Sequence, residues 1–230
     1  MTTMDGTRTE RIREASQERR ERRKAELRQE ILTAAGIEFL EHGYAEFSLR
    51  RVAERIGYSP TTIYLHFANK DELLLATVQH GFANFDAVIL AAGEGAPDPL
   101  TRMEALGRAY IRFGLDNPEF YRLMFMQRAD FFLMPRLLGI GSPENARDEL
   151  GDTPHHHVLA QEMLCDAVRE AIALGEIGDG DPLMIADALW AGAHGLVALA
   201  ISPLMDRAHA ERVSDQLLRT LIEGLRVPAS

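Results

Sequence analysis

A short segment near the N-terminus places hydroxyl, aromatic and apolar side chains together on one side of a predicted helix. The helix covers residues 60 to 66, and Ile63 and Phe67 share one of its faces. The opposite face presents Thr61, Thr62 and Leu65, flanked by Tyr64 and His66. Hydroxyls can bond base edges or phosphates, and an apolar group can contact a thymine methyl. The pattern favours a helix that binds the DNA major groove, although an ordinary helical hairpin would show the same spacing.

The elements that precede this helix supply the scaffold that such a function needs. Ser48 can cap a second helix whose apolar stripe contains Leu49, Val52, Ala53 and Ile56. The turn Gly57-Tyr58-Ser59 is short and contains glycine, which is typical of two helices joined at a steep angle. A first helix contributes the stripe Leu27, Ile31, Leu32, Ala35 and Phe39. Together these segments predict a helix-turn-helix over residues 48 to 67.

The start of the following helix adds a candidate phosphate contact. Asn69 and Glu72 form an Asn-x-x-Glu capping arrangement, and acidic residues suit the positive end of a helix. Lys70 opposes the helix dipole there. A lysine directly after a DNA-binding helix is therefore a candidate ligand for phosphate, although a solvated lysine would be equally placed.

Composition excludes several other classes of protein. The chain has 230 residues, a formal net charge of −10 and one cysteine, Cys165, which rules out a disulfide framework and CxxC metal motifs. We find no nucleophile elbow, HExxH motif or glycine-rich phosphate loop, so we expect no enzyme and no cofactor. We also expect no apolar run of about eighteen residues that spans a membrane, which favours a cytoplasmic protein.

The charge is unevenly distributed along the chain. Residues 8 to 28 contain nine Arg or Lys against five Glu, whereas the acidic excess lies in the later part. Glu18 and Arg22 are spaced i,i+4, so this segment is either a solvated helix face or an arm that binds phosphates.

Helix start and stop signals predict an all-α fold of about nine helices. Six capping residues directly precede prolines: Ser59-Pro60, Asp98-Pro99, Asn117-Pro118, Ser142-Pro143, Thr153-Pro154 and Asp181-Pro182. The expected helices lie near 20–42, 48–56, 60–66, 70–91, 99–115, 118–134, 154–174, 182–201 and 207–226.

Bulky apolar residues in the second half indicate a ligand cavity in a helical bundle. They crowd into residues 113 to 134, too densely for one core stripe, so we expect some to line a pocket between helices. The candidate ligand-binding residues are Phe113, Tyr121, Met124, Phe125, Phe131, Phe132, Trp190 and His194. His155-His156-His157 could instead bind a metal ion with His194, but three consecutive histidines point in different directions on a helix.

The segment from Ser48 to Leu73 resembles the DNA-binding domain of the tetracycline-repressor (TetR) family. The resemblance implies that Thr61 and Thr62 face bases, that Tyr64, His66 and Lys70 contact phosphates, and that Ile63 and Phe67 hold the helix. Ser48 and Leu65 complete the expected DNA contacts. The C-terminal part is similar to a TetR subgroup with a Trp-x-x-x-His-Gly signature, matched by Trp190, His194 and Gly195.

We therefore expect three regions: a charged arm (1–19), a helix-turn-helix domain (20–68), and a ligand-binding and dimerisation domain (69–230). The function expected is a homodimeric repressor of a palindromic operator, released by a small apolar or amphipathic effector. Two alternatives are a metal-responsive regulator that uses His155–His157 and a helical protein-interaction module without DNA binding. Small residues in 186–200 and the stripe Val213, Leu217, Leu218, Leu221 and Leu225 predict dimerisation through the last two helices.

Overall fold

The computed structural model describes residues 4–126 and 156–227. Within these ranges the chain forms nine α-helices and one isolated β-bridge, between Ile177 and Arg226. The helices are α1 (Met4–Glu46), α2 (Leu49–Arg55), α3 (Pro60–Tyr64), α4 (Lys70–Gly93), α5 (Pro99–Asp116), α6 (Pro118–Tyr121), α7 (His156–Ala173), α8 (Pro182–Ala200) and α9 (Arg207–Leu225). A π-helical turn, Arg122–Met126, continues α6. The predicted all-α fold is confirmed.

Several predicted features lie outside the described residues. They are Phe131, Phe132, His155, the pairs Ser142-Pro143 and Thr153-Pro154, and the side chains of His156 and His157.

Capping residues start the helices largely as the sequence predicts. Ser59, Asp98 and Asp181 each accept a hydrogen bond from a backbone N–H in the first turn of α3, α5 and α8. The prediction is wrong for Asn117, whose side chain makes no cap bond. Its amide instead donates to the Phe113 carbonyl at the end of α5, because Asn117 is the single residue between α5 and α6 and also caps α5.

The first helix begins earlier than the predicted residue 20. It starts at Met4, because residues 4 to 30 are rich in Arg and Glu, which favour helix, and they contain no proline. Its regular part ends where predicted, at Gly43, whose φ of 68° interrupts the helix. Arg22, which is spaced i,i+4 from Glu18, pairs with the residue one turn further along, its Nε lying 2.9 Å from Glu26 Oε1.

The chain divides into two compact units, residues 1–77 and 78–230. In the first unit, α1, α2 and α3 share a core that includes Ile31, Val52, Ile63 and Phe67, all fully buried. The first turns of α4 add Leu73, Leu74 and Thr77 to the buried residues. The division therefore lies inside α4, beyond the boundary at 68 that the sequence suggested.

The second unit is a bundle in which α5 packs against α7, α8 and α9. One buried cluster centres on Phe85, Tyr110, Tyr121 and Val197, and a second joins α5, α7 and the ends of α8 and α9 around Val168. Close approach of α5 to α8 depends on Gly114, where an added Cβ would lie 2.4 Å from Val197 Cγ1.

Two helices, α4 and α8, are long and apolar enough to cross a membrane by length and composition alone. The expectation that the chain contains no such run is therefore wrong. Only 28% of the apolar window in α8 is buried in this single chain. The exposed apolar residues of α8 and the turn after it include Met184 (71%) and Leu204 (76%).

Candidate nucleic-acid interface and ligand cavity

Helix α3 has one buried face and one exposed face, as its sequence predicts. Ile63 and Phe67 are buried, whereas Tyr64 and Leu65 are 58% and 81% exposed. A leucine with this exposure contributes little to the fold, because its apolar surface stays in water. The exposed face therefore offers an apolar contact and a phenol to a partner molecule.

The threonines differ in their freedom to reach a partner. Thr61 is exposed, whereas Thr62 is half-buried and its Oγ1 lies 3.0 Å from Ser59 Oγ. Ser59 Oγ also accepts from the Thr62 backbone N–H. The Thr62 hydroxyl thus takes part in the cap of α3 and keeps a fixed orientation.

Ser48 is a helix cap in the same way. Its Oγ accepts from the Arg51 backbone N–H at 3.3 Å, and the residue is half-buried. The cap orients the first turn of α2 against α1.

A buried carboxylate joins α2 to α1 and was missed by sequence reasoning. Glu38 is 2% exposed, and Arg51 and Arg55 lie 3.6 Å and 3.4 Å from its oxygens. His42 Nδ1 is 3.2 Å from Glu38 Oε1. Glu38, Glu41 and His42 could together hold a metal ion by distance, but the two guanidinium groups already neutralise these carboxylates.

Lys70 is held by a residue that the sequence did not single out. Its ammonium donates to the Tyr44 carbonyl at 3.1 Å and lies 4.0 Å from the centre of the Tyr44 ring. The Tyr44 hydroxyl donates to Asp71, and this bond together with burial raises the pKa of Tyr44. An ammonium has three protons, so Lys70 keeps donors for a phosphate while it is held in place.

The predicted cap of α4 is confirmed in a modified form. Asn69 Oδ1 accepts from the backbone N–H groups of Asp71 and Glu72, at 3.0 Å and 2.9 Å. The Glu72 carboxylate accepts from Ala68 N at 2.7 Å, one residue before the position expected for a capping box. The two hydrogen bonds to Asn69 fix the first turn of α4, in which Lys70 lies.

His66 lies beside cationic residues of α1. Burial is the largest cause of a lowered pKa for His66, followed by the positive charges of Arg28 and Lys24. The Arg28 guanidinium lies 4.5 Å from the centre of the Phe67 ring. These surroundings favour the neutral imidazole, whose ring N–H can donate one hydrogen bond.

The second unit contains an apolar cavity of about 390 Å³ among its described residues. Phe82, Phe85 and Ile89 of α4 form one wall, and residues of α5, the π-helical turn, α7, α8 and α9 form the others. Its polar lining side chains in this part of the chain are Tyr110, Gln161 and Trp190. A mostly apolar cavity with few polar groups is typical of a small-molecule site.

The predicted pocket residues divide between the wall of this cavity and the layer behind it. Met124, Phe125 and Trp190 line the cavity. Phe113 is buried behind the wall, with its ring centre 5.2 Å from that of Phe85. Tyr121 and His194 are also absent from the lining, but they bond to the residues that form it.

A chain of hydrogen bonds starts at the cavity wall and runs into the core. Trp190 Nε1 donates to the Tyr110 hydroxyl at 3.0 Å, and Tyr110 lies 2.9 Å from the Tyr121 hydroxyl. The Tyr121 hydroxyl lies 2.6 Å from His194 Nδ1. We name Trp190, Tyr110, Tyr121 and His194 the aromatic relay. Trp190 and His194, one turn apart on α8, are thus joined through two tyrosines of other helices.

The electrostatics keep the aromatic relay uncharged. Burial is the main cause of a raised pKa for Tyr110 and Tyr121 and of a lowered pKa for His194. If His194 carries its proton on Nε2, Tyr110 donates to Tyr121 and Tyr121 donates to Nδ1, so each hydroxyl donates once. Tyr110 is the relay residue that sequence reasoning missed, because no local pattern distinguishes it from a core tyrosine.

The comparisons with known proteins agree with this architecture. A family model described as bacterial regulatory proteins, tetR family, matches residues 31–77, and one described as tetracyclin repressor-like, C-terminal domain, matches residues 103–225. The HTH-type transcriptional activator FasR of Mycolicibacterium smegmatis is 32% identical over 100 residues, 44% of this chain and 46% of its own. The repressor AcnR of Corynebacterium diphtheriae is 39% identical over 66 residues, 29% of this chain and 35% of its own.

The matched stretches span less than half the length of these two curated relatives. A solved structure of a TetR/AcrR-family transcriptional regulator from Thermobifida fusca YX-ER1 superposes over 88% of this chain and 100% of its own. Its TM-score is 0.60, with 26% sequence identity. Since the C-terminal family model alone covers more than half of the residues and the N-terminal model covers the helix-turn-helix, the chain belongs to the TetR family.

Proposed function

We propose that the protein is a cytoplasmic, homodimeric transcriptional regulator that inserts α3 of each subunit into successive major grooves of a palindromic operator. The observation that supports this most strongly is the 81% exposure of Leu65, on a helix whose other face is buried. An apolar side chain held out into water on a short, capped helix is best explained by a thymine methyl. Two-fold symmetry of the dimer would match the symmetry of the operator.

The contacts divide into two kinds. Leu65, Thr61 and Thr62 would determine which base pairs are bound, and removing one base contact costs about 1–3 kcal/mol. Tyr64, His66, Lys70 and Ser48 would position the helix on the phosphates, with no preference for sequence. Capping by Ser59 and by Asn69 supports this division, because it fixes the backbone on both sides of α3.

The experiment is a titration of variants on two duplexes, one selected by the wild-type protein from a random pool and one with that sequence scrambled. Leu65→Ala should lower the affinity for the selected duplex and leave the affinity for the scrambled duplex nearly unchanged. Lys70→Ala should lower the affinity for both duplexes equally. It should also reduce the salt slope, the dependence of log affinity on log salt concentration, by about one unit for each phosphate that is no longer bound. Leu174→Ala, an exposed leucine in the second unit, serves as the control. If Leu65→Ala and Lys70→Ala both bind like the wild type, α3 is not the DNA-binding helix.

Effector binding is the second part of the proposal. We assign the apolar cavity to an apolar or amphipathic small molecule that lowers DNA affinity. Such a molecule must favour the released conformation by a few kcal/mol, about a hundredfold or more in affinity. Trp190 is the only tryptophan and lines the cavity, so its fluorescence reports occupation directly. A molecule that changes this emission but leaves DNA affinity unchanged would contradict regulation through the cavity.

Dimerisation is the third part. Met184, Ala188, Ala191, Gly195 and Leu199 follow one face of α8, within about 80° on a helical wheel. All but half-buried Gly195 are exposed in this single chain, and small residues permit close approach of a partner helix. Ala191→Glu should convert the dimer to a monomer in sedimentation, whereas Ala173→Glu, also at an exposed helical alanine, should not. A wild-type monomer at micromolar concentration would disprove this part.

We further propose that the protein represses transcription, by occupying the operator until the effector binds. The curated relatives are named both as a repressor and as an activator. A reporter gene fused to the selected operator distinguishes the two, since deletion of the regulator should raise expression. We also assign the chain to the Trp-x-x-x-His-Gly subgroup, because Trp190 and His194 are both members of the aromatic relay.

A further inference from the structure

Helix α1 extends far beyond the part that the core needs. From residue 13 onward, where the structure describes the side chains of α1, the first buried residue is Ile31, and residues 13 to 26 are exposed apart from half-buried Ser16. Nothing in this stretch is packed into the first unit, so burial does not explain its helix. Strong helix formers and the Arg22–Glu26 ion pair maintain it instead.

The charges on this extension are sorted by side. At about 100° per residue, Arg13, Arg20, Lys24 and Arg28 fall within a sector of about 80°, which we name the cationic stripe. Glu14, Glu18 and Glu21 occupy the adjacent sector. The other cations between residues 13 and 28, Arg19, Arg22 and Arg23, lie on the other side, where Arg22 is paired with Glu26.

The C-terminal end of the cationic stripe lies against the proposed DNA-binding helix. Arg28 stacks on the ring of Phe67 at 4.5 Å, and the charges of Arg28 and Lys24 act on His66. His66 and Phe67 lie two and three residues after the end of α3 in the chain. The stripe therefore starts at the edge of the interface and continues away from it for the 15 residues from Arg28 to Arg13, about 22 Å.

We propose that the cationic stripe binds the phosphate backbone of duplex DNA flanking the operator half-site. This inference rests on the proposed function, because α3 must first dock in the groove. A length of about 22 Å matches the rise of roughly six base pairs, so the stripe can follow the backbone beyond the bases that α3 contacts. These contacts add affinity without sequence preference, since phosphates are the same at every position.

The experiment compares the full-length protein on two duplexes. One contains only the selected operator, and the other contains the same operator with about ten base pairs of arbitrary sequence on each side. The stripe variant carries Arg13→Gln, Arg20→Gln and Lys24→Gln. The control carries Arg19→Gln, Arg22→Gln and Arg23→Gln, which removes the same charge from the other side of the same helix. Circular dichroism verifies that both variants stay helical, as glutamine favours helix.

The wild type should bind the flanked duplex more tightly than the bare operator, by at least tenfold at low salt. The stripe variant should lose this preference, and its salt slope on the flanked duplex should fall by up to about five units, since a dimer of this variant lacks six of the cations that bind phosphates. The control variant should keep the wild-type preference for flanking DNA.

Two results would overturn the proposal. Equal losses of affinity in the two variants would mean that net charge, not the stripe, attracts DNA. Equal affinity of the wild type for the bare and the flanked operator would disprove the stripe proposal while leaving operator recognition by α3 intact. The proposed function is tested separately by the selected and scrambled duplexes. If the wild type binds these two with equal affinity, the proposed function fails and the stripe proposal fails with it.

Discussion

Replacing Tyr121 by phenylalanine tests whether the aromatic relay stabilises the second unit. Tyr121 is completely buried, and its hydroxyl lies 2.9 Å from the Tyr110 hydroxyl and 2.6 Å from His194 Nδ1. Phenylalanine keeps the ring and its packing and removes only the hydroxyl. The change therefore isolates the hydrogen bonds from the hydrophobic contribution.

The magnitude follows from the partners that remain. Tyr110 keeps the bond from Trp190 and lies 3.3 Å from His194 Nδ1, so it can donate to the histidine in place of Tyr121. One of the two broken bonds can thus be replaced, and the relay loses about one hydrogen bond while its remaining polar groups keep partners. One hydrogen bond contributes about 0.5–1.5 kcal/mol to stability. For a unit of this size, the melting temperature should fall by roughly 1–6 °C.

The assay is urea unfolding followed by the fluorescence of Trp190, the only tryptophan, which reports on the second unit alone. Tyr44→Phe is the matched control, because it also removes one hydroxyl but lies in the first unit and faces the exposed Asp71. It should leave the Trp190 transition unchanged. If Tyr121→Phe unfolds within about 0.5 kcal/mol of the wild type, or if both variants shift equally, the relay does not stabilise the bundle.

Three further results are expected. Asn69→Ala removes the cap of α4 and should destabilise the first unit by about 1 kcal/mol, measured by circular dichroism; an unchanged transition would exclude a stabilising cap. Burial lowers the pKa of His194, so on acidification this histidine is protonated at a higher pH in the unfolded chain than in the folded protein. The free energy of unfolding should therefore be largest above pH 6.5 and decline below it. His194→Gln should flatten this pH dependence, and an equally steep dependence in the variant would contradict the expectation. Gly114→Ala forces Val197 to move and should cost about 1–3 kcal/mol, whereas Gly224→Ala, with open space around it on α9, should not; equal thermal shifts would argue against close packing of α5 on α8.

Sequence patterns predicted well wherever the cause was local. The ends of α5, α8 and α9 follow from capping residues, prolines and apolar spacing, which act within one helical turn. The two faces of α3 follow from the 3.6-residue period, and both Ile63 and Leu65 lie on the predicted sides. The prediction for the start of α1 was wrong because it relied on core contacts, whereas the strong helix formers before residue 20 extend the helix without them.

Tertiary structure alone decided which side chains meet across the chain. Lys70 and Tyr44 are 26 positions apart, and Trp190 and Tyr110 are 80 apart, so no local spacing links either pair. The same holds for the cavity, where Met124, Phe125 and Trp190 form the wall while Phe113 from the same aromatic run lies in the layer behind it. The sequence by itself determined the helices, their caps and the exposed face of α3, because these depend on neighbours within a few residues. Cavity walls, the aromatic relay and the position of Lys70 depend on how separate helices pack, and packing is decided only when the whole unit is assembled.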